Sequence, residues 1–144
     1  MICNSIVQRA LLGAALTLAT LPALADVVVV VSAKSAATAL TAEQASDIFL
    51  GRATTLPGAG AAVPVDQSEG AASRDVFYQK ATGKSAAQVK AYWSKQIFSG
   101  KGQPPKEVGD SAAVKSLVAN NPNMIGYIDK GALDGSVKAV LTLK

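Results

Sequence analysis

The sequence of 144 residues contains no histidine, and its only cysteine is Cys3 near the N-terminus. Without an imidazole or a further thiol, the rest of the chain can form no Ser-His-Asp or Cys-His catalytic group and no zinc site with soft ligands. It also has no second thiol for an intramolecular disulfide bond, so the chain is compatible with an oxidising compartment. These absences exclude the commonest catalytic and metal-binding classes.

Acidic residues are few, with 10 Asp and Glu in the whole chain, and no spacing among them forces two carboxylates together. Hydrolysis by carboxylates alone requires such a pair at a defined separation. We therefore expect a protein that is not an enzyme and that uses no catalytic residues, no cofactor and no metal.

Long apolar runs are also missing, since no segment reaches the roughly 18 uninterrupted apolar residues of a membrane-spanning helix. The N-terminus has Arg9 before an apolar stretch from Ala10 to Leu21, and it ends on the sequence ALA at positions 23–25. This arrangement is typical of a secretory signal peptide cleaved after Ala25. We expect an exported protein with no permanent membrane anchor.

The charge is mildly basic, with a formal net charge of +4. The lysines and arginines are scattered, and nowhere do five or more stand together. A basic stripe for nucleic acid would require such clustering. We expect a solvated basic surface and no nucleic-acid partner.

Residues 26–144 are predicted to form a single α/β domain, because apolar strands alternate with capped amphipathic segments. Five consecutive valines, residues 27–31, have no polar side and predict a central strand covered by helices on both faces. Thr41 with Gln44 and Ser85 with Gln88 are spaced as capping boxes, and Asp110 is a helix N-cap. The fold class is a three-layer sandwich with a mixed, mostly parallel sheet. Residues 54–62 and Ser99–Gly109 are predicted to be loops, the second long enough to have a function of its own.

The segment Val65–Phe77, VDQSEGAASRDVF, changes from a short apolar strand to a small polar loop and then to a helix. The start of a helix leaves backbone N–H groups unpaired, and these attract an anion. The loop residues Gln67–Ser73 therefore form a candidate oxyanion site. The alternative is that Ser68, or Asp66 with Glu69, simply caps the helix.

Three segments together resemble one family: LTAEQASDIFLGR, VPVDQSEGAASRDVFYQK and NPNMIGYIDK are similar to the phosphate-binding, periplasmic substrate-binding proteins of ABC transporters. The resemblance covers nearly all of residues 26–144. It implies one lobe of a type II periplasmic binding protein, a periplasmic location, a small inorganic anion such as phosphate as ligand, and an ABC permease or another envelope protein as partner.

The resemblance also implies a set of ligand-binding residues in the middle segment. In the family this segment carries an Arg, an Asp and a Ser-Gly-Thr run that hold phosphate at a helix N-terminus. Here neutral Gln67 stands at the position of the Arg, and Ala71 replaces a hydroxyl donor. The ligand-binding residues expected from the resemblance and the loop are Gln67, Ser68, Glu69, Gly70, Ala71, Ala72 and Ser73.

These replacements, and a length that matches one lobe only, imply anion binding that is weak or depends on a partner. A neutral amide cannot replace the charge-assisted, bidentate contacts of an arginine, a loss of about 1.5 to 3 kcal/mol. The alternative function is a protein-interaction module that has lost its ligand. It would bind its partner through the GKGQPPK loop, residues 100–106, or through the surface of Tyr92 and Trp93.

Overall fold

The structure is a computed structural model that describes residues 26–144. The expected signal peptide, with Cys3 and the cleavage site after Ala25, lies outside the described residues. The described chain forms, in order, β1 (Val27–Ser32), α1 (Ala42–Phe49), β2 (Thr55–Leu56), β3 (Gly60–Ala61), β4 (Val63–Gln67), α2 (Ala72–Thr82), α3 (Ala86–Phe98), β5 (Lys106–Gly109), α4 (Ser111–Asn120), β6 (Met124–Asp129), a 3-10 turn (Lys130–Ala132) and β7 (Val137–Leu143).

Five of the strands form one mixed sheet in the order β5-β4-β6-β1-β7. The strand β4 pairs in parallel with β5 and β6, whereas β1 pairs antiparallel with β6 and β7. Four strands therefore run in one direction and β1 opposes them. The predicted α/β class with a mixed, mostly parallel sheet is confirmed.

The valines of β1 divide the core into two clusters, one on each face of the sheet. Val27, Val29 and Val31 pack with α1, α2 and α3 on one face. Val28 and Val30 pack with α4 on the other. All six residues of β1 are buried, because alternate side chains of a strand point to opposite faces and here both faces are covered. The three-layer arrangement predicted from the valine run is confirmed.

The helix α4 lies very close to the sheet because β6 carries Gly126 at its centre. A Cβ atom at this position would collide with Val114 of α4 and would also press on Val118 and Val65. The glycine thus allows close contact between backbone and helix, as a glycine within a strand often does. This contact fixes the start of α4 next to the ends of β4 and β6.

The helix starts follow the predicted caps. Thr41 and Ser85 form reciprocal capping boxes with Gln44 and Gln88, and Asp110 accepts a hydrogen bond from the N–H of Ala113. Each side chain satisfies a backbone donor that the first helical turn leaves unpaired. These three predictions are confirmed.

The two predicted loops each contain short strands, so the prediction of loop throughout was wrong there. Within residues 54–62, β2 and β3 pair as a small hairpin. At the end of Ser99–Gly109, β5 pairs in parallel with β4, with Val65 opposite Lys106. Strands of only two to four residues are too short to show a hydrophobic alternation, and they form because a neighbouring strand offers hydrogen bonds. Within residues 26–144, no helix is long and apolar enough to cross a membrane.

Candidate anion site at the start of α2

The predicted site lies where the parallel part of the sheet ends and two helices begin. The segment Gln67–Ser73 links the end of β4 to the first turn of α2. The N–H of Ser68 donates to Gly109 O (2.9 Å), and the N–H of Ala71 donates to Ser68 O (3.1 Å). These bonds hold a tight turn, in which Gly70 has a positive φ of 91°. A side chain would strain the backbone at that angle, so glycine is required there.

The start of α2 differs from the starts of the other α-helices in the described chain, because no side chain caps it. Its N-cap residue is Ala71, in an extended conformation and without a side-chain hydrogen bond. Neither Asp66, Ser68 nor Glu69 takes that role, so the alternative reading of the loop as a side-chain cap was wrong. The N–H groups of Ala72 and Ser73, the first two helical residues, have no acceptor within the helix. They are free to bind an anion.

Gln67, which the sequence resemblance assigns to the position of an arginine, faces the interior. Its side chain is almost fully buried, and its Nε2 donates to Tyr127 O (3.0 Å) and to Ser111 Oγ (3.2 Å). Both protons of the amide are therefore used inside the protein. Through these bonds Gln67 links the end of β4 to β6 and to the first residue of α4.

Ser73 is hydrogen-bonded, but its partner is Asp129, a residue that the sequence reasoning did not single out. Ser73 Oγ donates to Asp129 Oδ1 (2.6 Å), and Ser111 Oγ donates to Asp129 Oδ2 (3.3 Å). Asp129 is the last residue of β6. Its carboxylate therefore lies between the first turns of α2 and α4, where the dipoles of both helices favour a negative charge.

The remaining loop residues are at the surface. Ser68, Glu69, Gly70 and Ala72 are exposed, and Ala71 is half-buried. Glu69 pairs with Lys90 of α3 at 3.5 Å, which partly offsets the negative charge that the sequence places at the mouth of the site. The structure thus brings Gln67–Ser73 together as one turn, with Ser68–Ala72 on its outer side and Gln67 on its inner side.

Beneath the turn lies a buried network centred on Asp66, which sequence reasoning also missed. The Tyr78 hydroxyl donates to Asp66 Oδ2 (2.5 Å), the Tyr127 hydroxyl donates to Oδ1, and so does the N–H of Gln67 (2.8 Å). Burial, together with the charge of Asp66, raises the pKa of both tyrosines above the ordinary value of 10. The tyrosines therefore stay protonated and keep donating to the carboxylate.

Arg74 supplies the positive charge next to this network. Its Nε lies 3.4 Å from Asp66 Oδ1 and its Nη2 lies 3.8 Å from Glu107. Burial is the largest single influence on Arg74 and disfavours its charge, but the Asp66 carboxylate, together with Tyr78, Tyr127 and Glu107, more than compensates and raises the pKa of the guanidinium. The arginine lines a cleft of about 230 Å³, along with Asp66, Glu69, Lys90 and Trp93. Residues 66–73 include no lysine or arginine, but the guanidinium of Arg74 places a positive charge next to the turn.

Topology explains why the sequence pointed to the turn and not to its partners. The pattern of strand, polar loop and helix marks Gln67–Ser73 directly. Asp129 and Ser111 reach it only because β4 and β6 are neighbours and parallel, so that their carboxyl ends meet at one edge. The sequence did contain one indication of Asp129: it directly follows the apolar segment 124–128, and a polar residue that follows a buried strand lies at the end of that strand, at the edge of the sheet. Among the described residues no cluster of His, Cys, Asp or Glu could hold a metal ion.

Comparisons of sequence alone find no relative: no protein-family model matches the chain, and no curated protein matches it significantly. Solved structures, in contrast, do match the chain. A Clostridium perfringens protein described as a phosphate ABC transporter substrate-binding protein, with phosphate bound, superposes with a TM-score of 0.64 at 26% identity. The match covers 81% of this chain and 44% of that protein.

Two further structures give the same picture. An ABC-type phosphate transport receptor from Vibrio cholerae has a TM-score of 0.63 at 25% identity, covering 81% of this chain and 46% of its own. PstS from Borrelia burgdorferi, at 13% identity, shows the fold alone, with a TM-score of 0.59 over 83% of this chain and 47% of its own. The chain thus spans somewhat less than half the length of these structures. The resemblance predicted from three sequence segments is confirmed: the chain is similar to phosphate substrate-binding proteins of ABC transporters and resembles a shortened member of that group.

Proposed function

We propose that residues 26–144 are a single domain that binds phosphate, or a closely related oxyanion, at the turn Gln67–Ser73. The observation that carries this proposal is the uncapped start of α2, whose N-cap is Ala71 without a side-chain hydrogen bond. Helix starts are usually capped by a side chain, as α1, α3 and α4 are here. An uncapped start in the segment that resembles the family's phosphate loop supports an anion as the missing partner.

The ligand contacts come mainly from the backbone in this proposal. The N–H groups of Ala72 and Ser73 lie at the positive end of the helix dipole, and the turn around Gly70 presents further N–H groups beside them. Ser68 and Ser73 are the hydroxyl-bearing residues of the turn. Arg74 and Lys90 add positive charge nearby, although both are already paired with carboxylates.

Binding is weak, or depends on a partner. Gln67 offers no charge, and its amide is committed inside the protein. Ala71 and Ala72 have no hydroxyl to donate. Within the described residues the outer side of the turn, Ser68–Gly70 and Ala72, is exposed, so water and salt screen the interaction.

The biological role that follows is non-catalytic and belongs to ABC-type phosphate transport in the periplasm. The similarity to transport receptors supports this assignment, and the sequence of residues 1–25 supports export through a cleaved signal peptide. The direct partner is then an ABC permease or another envelope protein.

Nitrogen-15 NMR spectra recorded during titration with inorganic phosphate test the proposal. We expect shifts in the amide signals of residues 68–74 at millimolar phosphate, and none of similar size when sodium chloride is added to the same ionic strength. If phosphate leaves these amides unchanged in a folded sample, the turn is not an anion site.

A protein-interaction module is the second candidate, favoured by an exposed apolar pair at the end of α3. Ile97 is 55% exposed and Phe98 is 96% exposed. Tyr92 and Trp93 themselves are largely internal: the Tyr92 hydroxyl donates to Leu50 O (2.6 Å), and Trp93 is buried. If this candidate is correct, phosphate leaves the amide signals of residues 68–74 unchanged, and Phe98→Ser abolishes partner binding.

A further inference from the structure

The carboxylate of Asp129 already accepts the proton of the Ser73 hydroxyl, one of the two hydroxyl donors in the turn Gln67–Ser73. Ser73 is the second residue of α2, and its hydroxyl donates to Asp129 Oδ1 at 2.6 Å. Ser111 is the first residue of α4, and its hydroxyl donates to Asp129 Oδ2 at 3.3 Å. One carboxylate thus takes a hydroxyl hydrogen bond from each of two helix starts.

We propose that Asp129 acts as an internal anion and determines the affinity of the turn Gln67–Ser73 for external phosphate. This inference rests on the proposed function and concerns the same site. A carboxylate and a phosphate accept the same kind of hydrogen bond and respond to the same helix dipoles. Two negative groups cannot share the Ser73 proton, so phosphate must displace Asp129 from Ser73 or bind without that hydroxyl.

Ser111 and Gln67 hold Asp129 in its place. Ser111 Oγ accepts from the Asp129 N–H (3.1 Å) and from Gln67 Nε2 (3.2 Å), while donating its own proton to the Asp129 carboxylate. The hydroxyl therefore uses one donor and two acceptor positions, all inside the network. Gln67 accordingly acts as a positioning residue for the internal anion rather than as a contact to phosphate.

The effect of Asp129 on an external anion is both steric and electrostatic. A unit charge a few ångströms from the ligand changes the binding constant by about tenfold or more in the intermediate dielectric of a protein surface. Loss of the charge also frees the Ser73 hydroxyl for the ligand. Both effects have the same sign, so a neutral residue at position 129 strengthens phosphate binding.

The test compares phosphate affinities, measured by NMR titration, of the wild-type protein, Asp129→Asn and a matched control. The control Asp47→Asn removes the same charge from α1, outside the network. We expect phosphate to bind Asp129→Asn about tenfold more tightly than wild type, and the control to differ from wild type by less than about twofold, as for a screened surface charge.

Ser73→Ala, made in both backgrounds, separates competition from a structural effect. In the wild type the Ser73 hydroxyl is engaged by Asp129, so its removal changes phosphate affinity little. In Asp129→Asn the hydroxyl serves the ligand, and its removal costs several-fold in affinity. Equal changes in the two backgrounds would overturn the proposal.

The remaining outcomes distinguish this inference from the proposed function. If wild type and Asp129→Asn bind phosphate equally, Asp129 does not compete and the anion site stands. If both are folded by their amide dispersion and neither binds phosphate, the inference and the proposed function both fail. Asp129→Ser, a second neutral variant, carries the same expectation if the asparagine variant does not fold.

Discussion

Buried polar side chains are concentrated beneath the turn that follows β4, whereas the rest of the core is mostly apolar. Asp66 is buried, yet its carboxylate accepts hydrogen bonds from two tyrosine hydroxyls and one backbone N–H and is ion-paired with Arg74. A buried carboxylate is tolerated only when it is paired and hydrogen-bonded in this way. The network therefore fixes the end of β4 beneath the turn Gln67–Ser73.

The raised pKa values of Tyr78 and Tyr127 predict a loss of stability in alkali. Unfolded tyrosines ionise near pH 10, whereas both of these stay protonated in the folded state above that pH. Their contribution is complete below pH 10. Above it the folded state holds two more protons than the unfolded state, and the free energy of unfolding falls by about 2.7 kcal/mol per pH unit from these two groups.

Urea unfolding at pH 9, 10 and 11 measures this slope, with Tyr78→Phe as the comparison. The variant keeps the ring but has one hydroxyl fewer to titrate, so its slope above pH 10 is smaller by about 1.4 kcal/mol per pH unit. Slopes that do not differ between the two proteins would show that Tyr78 ionises normally in the folded state.

For individual residues, the sequence predicted only part of the site. Ser73 was correctly expected near a helix start, because the loop pattern places it there. Its bond to Asp129 could not be predicted, since these residues are 56 positions apart and meet only through strand pairing. The burial of Asp66 and Gln67 has the same cause: β4 lies between two other strands, and a run of polar residues gives no sign of that.

Among the helices, α2 is distinguished by its missing cap. Ala71 has the extended conformation of an N-cap residue, with φ −66° and ψ 131°, but no side-chain acceptor. The chain thus forgoes the stabilisation of about 1 kcal/mol that a capping side chain usually provides. The proposed anion site gives this loss a functional reason.

The variant Ala71→Asp separates stability from binding. The new carboxylate can accept from the first N–H groups of α2, so we expect the free energy of unfolding to rise by about 0.5–2 kcal/mol. The same carboxylate occupies the position of the anion, so phosphate binding is lost. Urea unfolding and phosphate titration of the one variant measure both effects.

Ala86→Asp is the matched control, because it adds the same charge to the first turn of α3, which Ser85 already caps. It should leave phosphate binding unchanged. An Ala71→Asp protein that still binds phosphate as tightly as wild type would place the anion elsewhere.

Elements with strong local signals were predictable, and those that depend on neighbours were not. The capping boxes at Thr41 and Ser85 and the five valines of β1 carry their signal within a few residues. By contrast, β5 consists of Lys106–Gly109, with no apolar alternation, and exists because β4 offers it a parallel partner. In the final strand β7, a bulge opposite Val29 and Val30 interrupts the alternation of side chains and lets Val140 join the larger core.

For the whole molecule, the three-layer class followed from the sequence, whereas the strand order did not. The order β5-β4-β6-β1-β7 requires pairings between distant segments, which local patterns do not encode. This order places the ends of β4 and β6 side by side. It thereby brings two helix starts, Asp129 and the turn Gln67–Ser73 to one edge of the domain.

The domain as a whole corresponds to somewhat less than half of each phosphate-transport structure that it resembles. We propose that the start of α2 in this part binds an oxyanion through backbone N–H groups.

The most direct measurement of this claim is a crystal structure of the protein with arsenate, a phosphate analogue whose arsenic atom is located by anomalous scattering. We expect an arsenic peak at the start of α2, with arsenate oxygens within hydrogen-bond distance of the N–H groups of Ala72 and Ser73. Crystals at high arsenate concentration with no peak there, or with peaks only at other surfaces, would contradict it.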